Sequence, residues 1–298
     1  MKSRLWWGVL GWVIWSLSGC LADGLRATES GLVESRLLMR GTVDISGDGR
    51  LLGWSIPHFE TASKAVREEV EQAIAGWRFK PLPGDIKKGR WFMALWLAGP
   101  KAGSEPRPAG LAGVSFSRIG LADIFQSGQA GPSFAYPHRM IRDQVEGRVK
   151  VLVEIGPTGR VLHADAVQVN LFRQAATFEM RRWRRLFARA AVDGLRHYRF
   201  ASLLQVGQAD SEKVLLVVPV DFFLDRDGAA RASQECQKPY GIWLSYIPGP
   251  MAKPAWVPAA LINEMGVAIE PDVPRVIDLR VRLLDPPRGL AGMDFPDG

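Results

Sequence analysis

Two stretches of the chain share one alternation of apolar and polar positions. In the second, Val149, Val151, Val153 and Ile155 alternate with Arg148, Lys150 and Glu154, the period of two expected of a strand buried on one side. That run turns at Gly156-Pro157-Thr158-Gly159 and resumes as Arg160-Val161-Leu162-His163-Ala164-Asp165-Ala166-Val167. The first stretch reads Arg40-Gly41-Thr42-Val43-Asp44-Ile45-Ser46, turns at Gly47-Asp48-Gly49 and resumes as Arg50-Leu51-Leu52-Gly53-Trp54-Ser55-Ile56. Glycine supplies the positive φ that a tight hairpin demands, so each stretch predicts a hairpin. A helix follows each. Ser63 is the N-cap of the first, with Val66, Val70, Ile74 and Trp77 at helical spacing; Trp183, Phe187, Ala190, Ala191, Leu195 and Tyr198 form the stripe of the second. Both helices close on one phrase, Trp77-Arg78-Phe79-Lys80-Pro81 and Tyr198-Arg199-Phe200-Ala201-Ser202, and an apolar strand follows each, Trp91–Ala98 and Val214–Leu224. From turn glycine to helix end the second copy is 11 residues longer.

Strand, strand, helix, strand predicts an α+β fold: two small two-layer modules, each an antiparallel three-stranded sheet with a packed helix. The first spans 33–98 and the second 132–224, joined by a Gly/Pro-rich linker at 99–131 and followed by a Pro-rich C-terminal extension at 225–298. Modules of ~70–90 residues lie near the lower limit of independent stability, so pairing of the two is expected. The alternative is one continuous domain that contains similar local motifs. In the extension, Lys238–Pro258 reads as an extended tail packed on its own domain. Ile277, Leu279, Val281 and Leu283 alternate with Asp278, Arg280 and Arg282, predicting a final strand at Val276–Leu284. Returned to a sheet edge, that strand would occupy the edge in cis.

With 47% hydrophobic and 23% charged residues among 298, the chain can bury packed cores and is not wholly disordered. Cys20 and Cys236 are the only cysteines, which excludes a disulfide framework and a Cys-based zinc site. The N-terminus has its own pattern. Met1-Lys2-Ser3-Arg4 is basic, and Leu5–Leu17 is almost wholly apolar. At about 1.5 Å per residue this run spans roughly 20 Å, short of a ~30 Å hydrocarbon core, and reads as a signal-peptide apolar region. Leu17-Ser18-Gly19-Cys20 resembles the lipobox of bacterial lipoproteins. The resemblance implies that residues 1–19 are removed and that Cys20 is acylated, with acyl chains contributing ~0.8 kcal/mol per buried CH2 to membrane attachment. Leu21 at the next position implies, by the sorting rule of that family, the periplasmic side of the outer membrane of a Gram-negative cell. Loss of Lys2 and Arg4 takes the formal charge from +7 to +5, so the mature chain stays basic. An ordinary signal peptide and an uncleaved anchor remain open.

The second stretch resembles the C-terminal domain of TonB-like energy transducers. The ordered motifs are Pro132-Ser133-Phe134-Ala135-Tyr136-Pro137, then Glu146-Gly147-Arg148-Val149 and the turn through Gly159, then Tyr198-Arg199-Phe200 and a last strand with Pro219-Val220-Asp221-Phe222. The first stretch keeps the Gly-turn hairpin and Trp-Arg-Phe-Lys-Pro but lacks the Tyr-Pro opening. The resemblance implies a non-enzymatic periplasmic module whose sheet edge pairs with an extended peptide of an envelope protein. By family analogy the docking strand is the last one, with Val214, Leu216, Val218, Val220 and Phe222 along it. An open edge offers N–H and C=O groups that an incoming strand satisfies. The chain departs from transducers in having no His before His58, a lipobox in place of a full span, and no long Pro-rich spacer. These differences point to docking or scaffolding rather than energy transduction. A transducer that retains Leu5–Ala22 as its anchor, and an envelope enzyme with a site between the modules, are the alternatives.

Few other residues carry chemistry. Arg181, Arg182, Arg184 and Arg185 flank Trp183 in the most basic stretch. They read either as the solvated face of an amphipathic helix or as contacts for lipopolysaccharide phosphates or anionic lipid. Export argues against nucleic acid, which a cytoplasmic location would bring back. His58, His138, His163 and His197 are scattered, without a His-x-x-x-His pair. Gly113-Val114-Ser115-Phe116-Ser117 lacks the second glycine of a nucleophile elbow and lies in the linker. No catalytic set, metal site or cofactor is expected, and the oligomeric state is left open.

Overall fold

The computed structural model describes residues 33–82, 86–99, 110–117, 132–201, 213–225, 229–233, 243–257, 275–276 and 284. The fold is mixed α+β: two antiparallel five-stranded sheets with three α-helices among the described residues. The first sheet is built from β1 (Glu34–Ser46), β2 (Leu51–Ser55), β3 (Lys88–Ala98) and β4 (Gly110–Ser117), with α1 (Lys64–Ala75) between β2 and β3. Its order is β2-β1-β3-β4. After α2 (His138–Arg142), the second comprises β5 (Gly147–Ile155), β6 (Val161–Leu171), α3 (Thr177–Arg196), β7 (Val214–Leu224) and β8 (Ala230–Ser233). There β5 lies between β6 and β7, and β8 pairs with the far side of β7. The two orders are equivalent strand for strand. β9 (Trp243–Tyr246) joins β1 beside Glu34–Leu37, and β10 (Arg275–Val276) joins β7 beside Leu216 and Val217.

The recurring phrases are explained by one corner found in both sheets. Gly49 and Gly159 have φ of +86° and +79°, a left-handed region open to glycine. A Cβ at either would collide with the carbonyl oxygen of Phe79 or Phe200. Phe79 N–H donates to Gly49 O at 2.9 Å and Phe200 N–H to Gly159 O at 2.8 Å. The arginines beside them, Arg50 with Arg78 and Arg160 with Arg199, form isolated bridges. Phe79 and Phe200 are themselves buried. Thus the glycine turn and the Arg-Phe phrase are two halves of one joint, which locks the hairpin to the end of the helix. The 11 extra residues of the second copy follow from element lengths. β6 has 11 residues where β2 has five, α3 has 20 where α1 has 12, and the strand-to-helix connection shortens from 56–63 to 172–176.

Each sheet covers its helix-side face with its own apolar cluster. In the first, Val66, Val70 and Ile74 of α1 pack on Val43, Ile45, Met93 and Leu95, and Ser63 Oγ accepts from Val66 N–H as the expected cap. In the second, Met180, Trp183, Phe187, Ala191 and Leu195 of α3 pack on Val149, Val151, Val153, Leu216 and Val218.

Three expectations are corrected. The sheets have five strands, not three, because the chain continues past the third strand of each and the tail adds further ones. The stretch 99–131, expected to be a linker, contains β4. Its Phe116 packs edge-on against Trp77 and Phe79 at 5.5 and 5.2 Å, and Gly113 admits the Trp96 indole where a Cβ would collide. The region 225–298, expected as an extension beyond the modules with one final strand, supplies three strands, β8, β9 and β10, to the two sheets. Of the final strand expected at Val276–Leu284, Val276 lies in β10, and Leu284 N–H donates to Arg78 O at 2.8 Å. The rest of it lies outside the described residues, as do Cys20, Cys236 and the N-terminal segment through residue 32.

Candidate functional site

The candidate docking strand is β7, and its position departs from expectation. Val214, Leu216, Val218, Val220 and Phe222 are all buried in the cluster beneath α3. They line a core, so the strand can meet a partner only through its backbone rim. One rim of β7 is paired with β5 over nine of its eleven residues, from Phe222 opposite Gly147 to Val214 opposite Ile155. The other rim, expected as the docking edge unless the final strand covered it in cis, is covered in part. β8 covers Asp221–Leu224 and β10 covers Leu216 and Val217. Between them Val218, Pro219 and Val220 have no outer ladder partner among the described residues. Among the described residues the cover is therefore split into strands of four and two residues.

The motifs at the start of the second copy anchor this strand. Glu146 Oε1 accepts Leu224 N–H at 2.8 Å, holding the end of β7 against the beginning of β5. Two residues on, the Arg148 guanidinium forms a bidentate pair with Asp221 at 2.5 and 2.8 Å. Both side chains are buried, at 2% and 8% exposure. Tyr136 of the Tyr-Pro opening donates its hydroxyl to Val145 O at 2.7 Å and lays its ring against Phe187 and Phe222. Burial, reinforced by the nearby Glu146 carboxylate, pushes the Tyr136 phenol well above its ordinary range.

The face of the second sheet opposite α3 was expected to meet solvent, because Arg148, Lys150 and Glu154 alternate with the core positions. Instead Arg148 and Lys150 are buried, together with Gln168, Asn170 and Asp221. A strap at 247–257 crosses this side. Ile247 exchanges backbone hydrogen bonds with Leu171, Gln168 Nε2 donates to Gly249 O, Gly249 N–H donates to Asn170 Oδ1, and Ala252 N–H donates to Val167 O. Trp256 then stacks on His163 and donates Nε1–H to Asp165 Oδ2, while Val257 joins Leu152, Val167 and Val217 in a small apolar cluster.

The arginine run divides. Arg181, Arg182 and Arg185 are exposed, whereas Arg184 turns inward and donates Nη2–H to Pro248 O at 3.2 Å. Its place was legible: Arg184 lies four residues after Met180 and three before Phe187, on the apolar stripe of α3. Arg184 thus holds the strap, and the other three face outward. Among the described residues no group of three or more His, Cys, Asp or Glu side chains is placed to hold a metal ion, and no helix is long and apolar enough to cross a membrane. His197 Nδ1 lies 3.1 Å from Asp193 O, a local contact at the end of α3. No family model matches the chain, and no curated protein or solved structure matches it.

Proposed function

We propose that the chain is a lipid-anchored cell-envelope protein with two modules like the C-terminal domain of TonB-type transducers, and that it docks a partner protein by β-strand addition. Cys20 carries the anchor, the protein faces the periplasm from the outer membrane, and it acts by binding rather than by catalysis. The docking rim is the outer side of β7.

The split cover of that rim carries this reading. A two-residue strand contributes few ladder bonds, so its displacement costs little. A longer incoming strand would replace both short neighbours with one continuous ladder, running past 218–220, which have no outer ladder partner among the described residues, and each new backbone bond offsets the ordering cost of the arriving segment. The tail thus acts as a removable placeholder for the partner. The repeated strand order and the shared glycine corner support the reading of two related modules, of which the second presents the rim.

A photo-cross-linker at the half-buried Leu215 or Phe223, beside the rim, tests the proposal in native envelopes. We expect capture of a discrete protein, with higher yield when Arg275→Pro or Val276→Pro removes a ladder donor from β10. Absence of any captured protein in both the parent and the proline variants would reject docking at β7. Palmitate labelling that Cys20→Ala leaves unchanged would reject the anchor separately.

A further inference from the structure

The outward face of α3 is exposed and dominated by arginine. At about 100° per residue, Phe178, Arg185, Arg189 and Arg196 fall within ~20° of one line along the helix, with Arg181 and Arg182 on its flanks. All six are exposed, and Phe178 at 67% is the most exposed large apolar side chain among the described residues. Of the five arginines only Arg189 has an acidic partner among the described residues, Asp193 at 3.6 Å. Arg181 with Arg185, and Arg185 with Arg189, are like charges four residues apart, which destabilise a helix rather than support it. The exposed side of α1 shows the ordinary alternative, with Lys64 and Arg67 interspersed among Glu68, Glu69 and Glu71 and an ion pair between Lys64 and Glu68.

From this arrangement we infer that the outer face of α3 is a docking surface for an anionic lipid bilayer. Its arginines meet the headgroup phosphates and Phe178 enters the acyl boundary. A helix in a bilayer interface presents this combination, with cations to neutralise phosphate and an aromatic side chain to bury apolar area. Each arginine near an anionic surface is worth about 1 kcal/mol, so three together correspond to roughly a 100-fold change in partition. The inference rests on α3 alone and stands whether or not β7 receives a partner strand.

The test is co-sedimentation of the full chain carrying Cys20→Ala, so that acylation does not contribute, with vesicles of phosphatidylglycerol and phosphatidylcholine or of phosphatidylcholine alone. We expect a preference for the anionic vesicles of at least tenfold at 50 mM salt, collapsing at 500 mM. The triple variant Arg181→Gln, Arg182→Gln, Arg185→Gln should lose that preference with an unchanged helical circular dichroism spectrum. Lys64→Gln with Arg67→Gln on α1 should keep it. Phe178→Ala should weaken uptake by anionic vesicles several-fold while leaving binding to a DNA duplex unchanged, which separates a bilayer from polyanions in general. Equal uptake by both vesicle types, a triple variant that retains the preference, or a Phe178→Ala effect that is the same on DNA would overturn the inference.

Discussion

The third strands of the two sheets, β3 and β7, occupy the same place in the same strand order and have opposite surroundings. β3 is flanked by β1 on one side and, from Phe92 to Ala98, by the single strand β4 on the other. β7 has an inner neighbour in β5 over nine of its eleven residues, but among the described residues its outer neighbours are two short segments that leave Val218, Pro219 and Val220 without a ladder partner. The same inversion governs the charged pairs that join each central pair of strands. Asp44 and Arg90 link β1 to β3 with a bidentate contact at 2.7 and 2.8 Å in the open, where Arg90 is 70% exposed. Arg148 and Asp221 link β5 to β7 with the same chemistry in the interior. One sequence grammar thus yields one topology, while the tail decides what each sheet hides and what it leaves weakly covered.

Substitutions in these two ion pairs sharpen the contrast. The largest effect is expected from Asp221→Ala, which removes the carboxylate bound to the buried Arg148 guanidinium and should cost about 3–5 kcal/mol in urea unfolding. Asp44→Ala should leave the melt unchanged within error, since its partner is solvated. Similar losses at the two sites would break the comparison.

Next come the turn glycines, where the copies agree. Gly49→Ala and Gly159→Ala force an L side chain into positive φ and against a Phe carbonyl, so each should cost about 2–3 kcal/mol. A large difference between them would show that the corner is not equivalent.

Tyr136, which has no counterpart in the first copy, should show the smallest effect near neutrality. Tyr136→Phe removes one hydrogen bond and should cost about 1 kcal/mol. Its pH dependence is more specific. The folded protein holds the phenol neutral above its ordinary range, so its contribution is complete below the unfolded value of about 10 and falls as pH rises beyond it. Tyr136→Phe should flatten that alkaline decline. Tyr198, also raised by burial, should keep the remainder.

What was legible in the chain was local. The strand of β5, the glycines of the hairpins, the Ser63 cap and the stripe of α3 each depend on neighbours within a few residues, and all appear as read. β4 escaped because Gly110 and Gly113 resemble linker residues until Trp96 is known to lie across Gly113. Arg148 and Lys150 read as solvent-facing by their alternation, but segments nearly a hundred residues later cross that face, and no local pattern records such a cover. The alternation after Val276 announced a final strand, and Val276 does pair with β7, but no local pattern records which edge such a strand joins. For Arg184 the signal existed, in its spacing from Met180 and Phe187, but it was hidden within a run of like charges.

Backbone hydrogen exchange along β7 in the full chain tests the central claim most directly, with β3 as the internal reference. If β10 is a displaceable cover, amides within Leu215–Val218 that face the outer rim should lose protection in Arg275→Pro or Val276→Pro, while Phe92–Leu97 of β3 stays as slow as in the parent. Unchanged protection of Leu215–Val218 in both proline variants would show that the rim is sealed by something other than the tail, and would contradict the account.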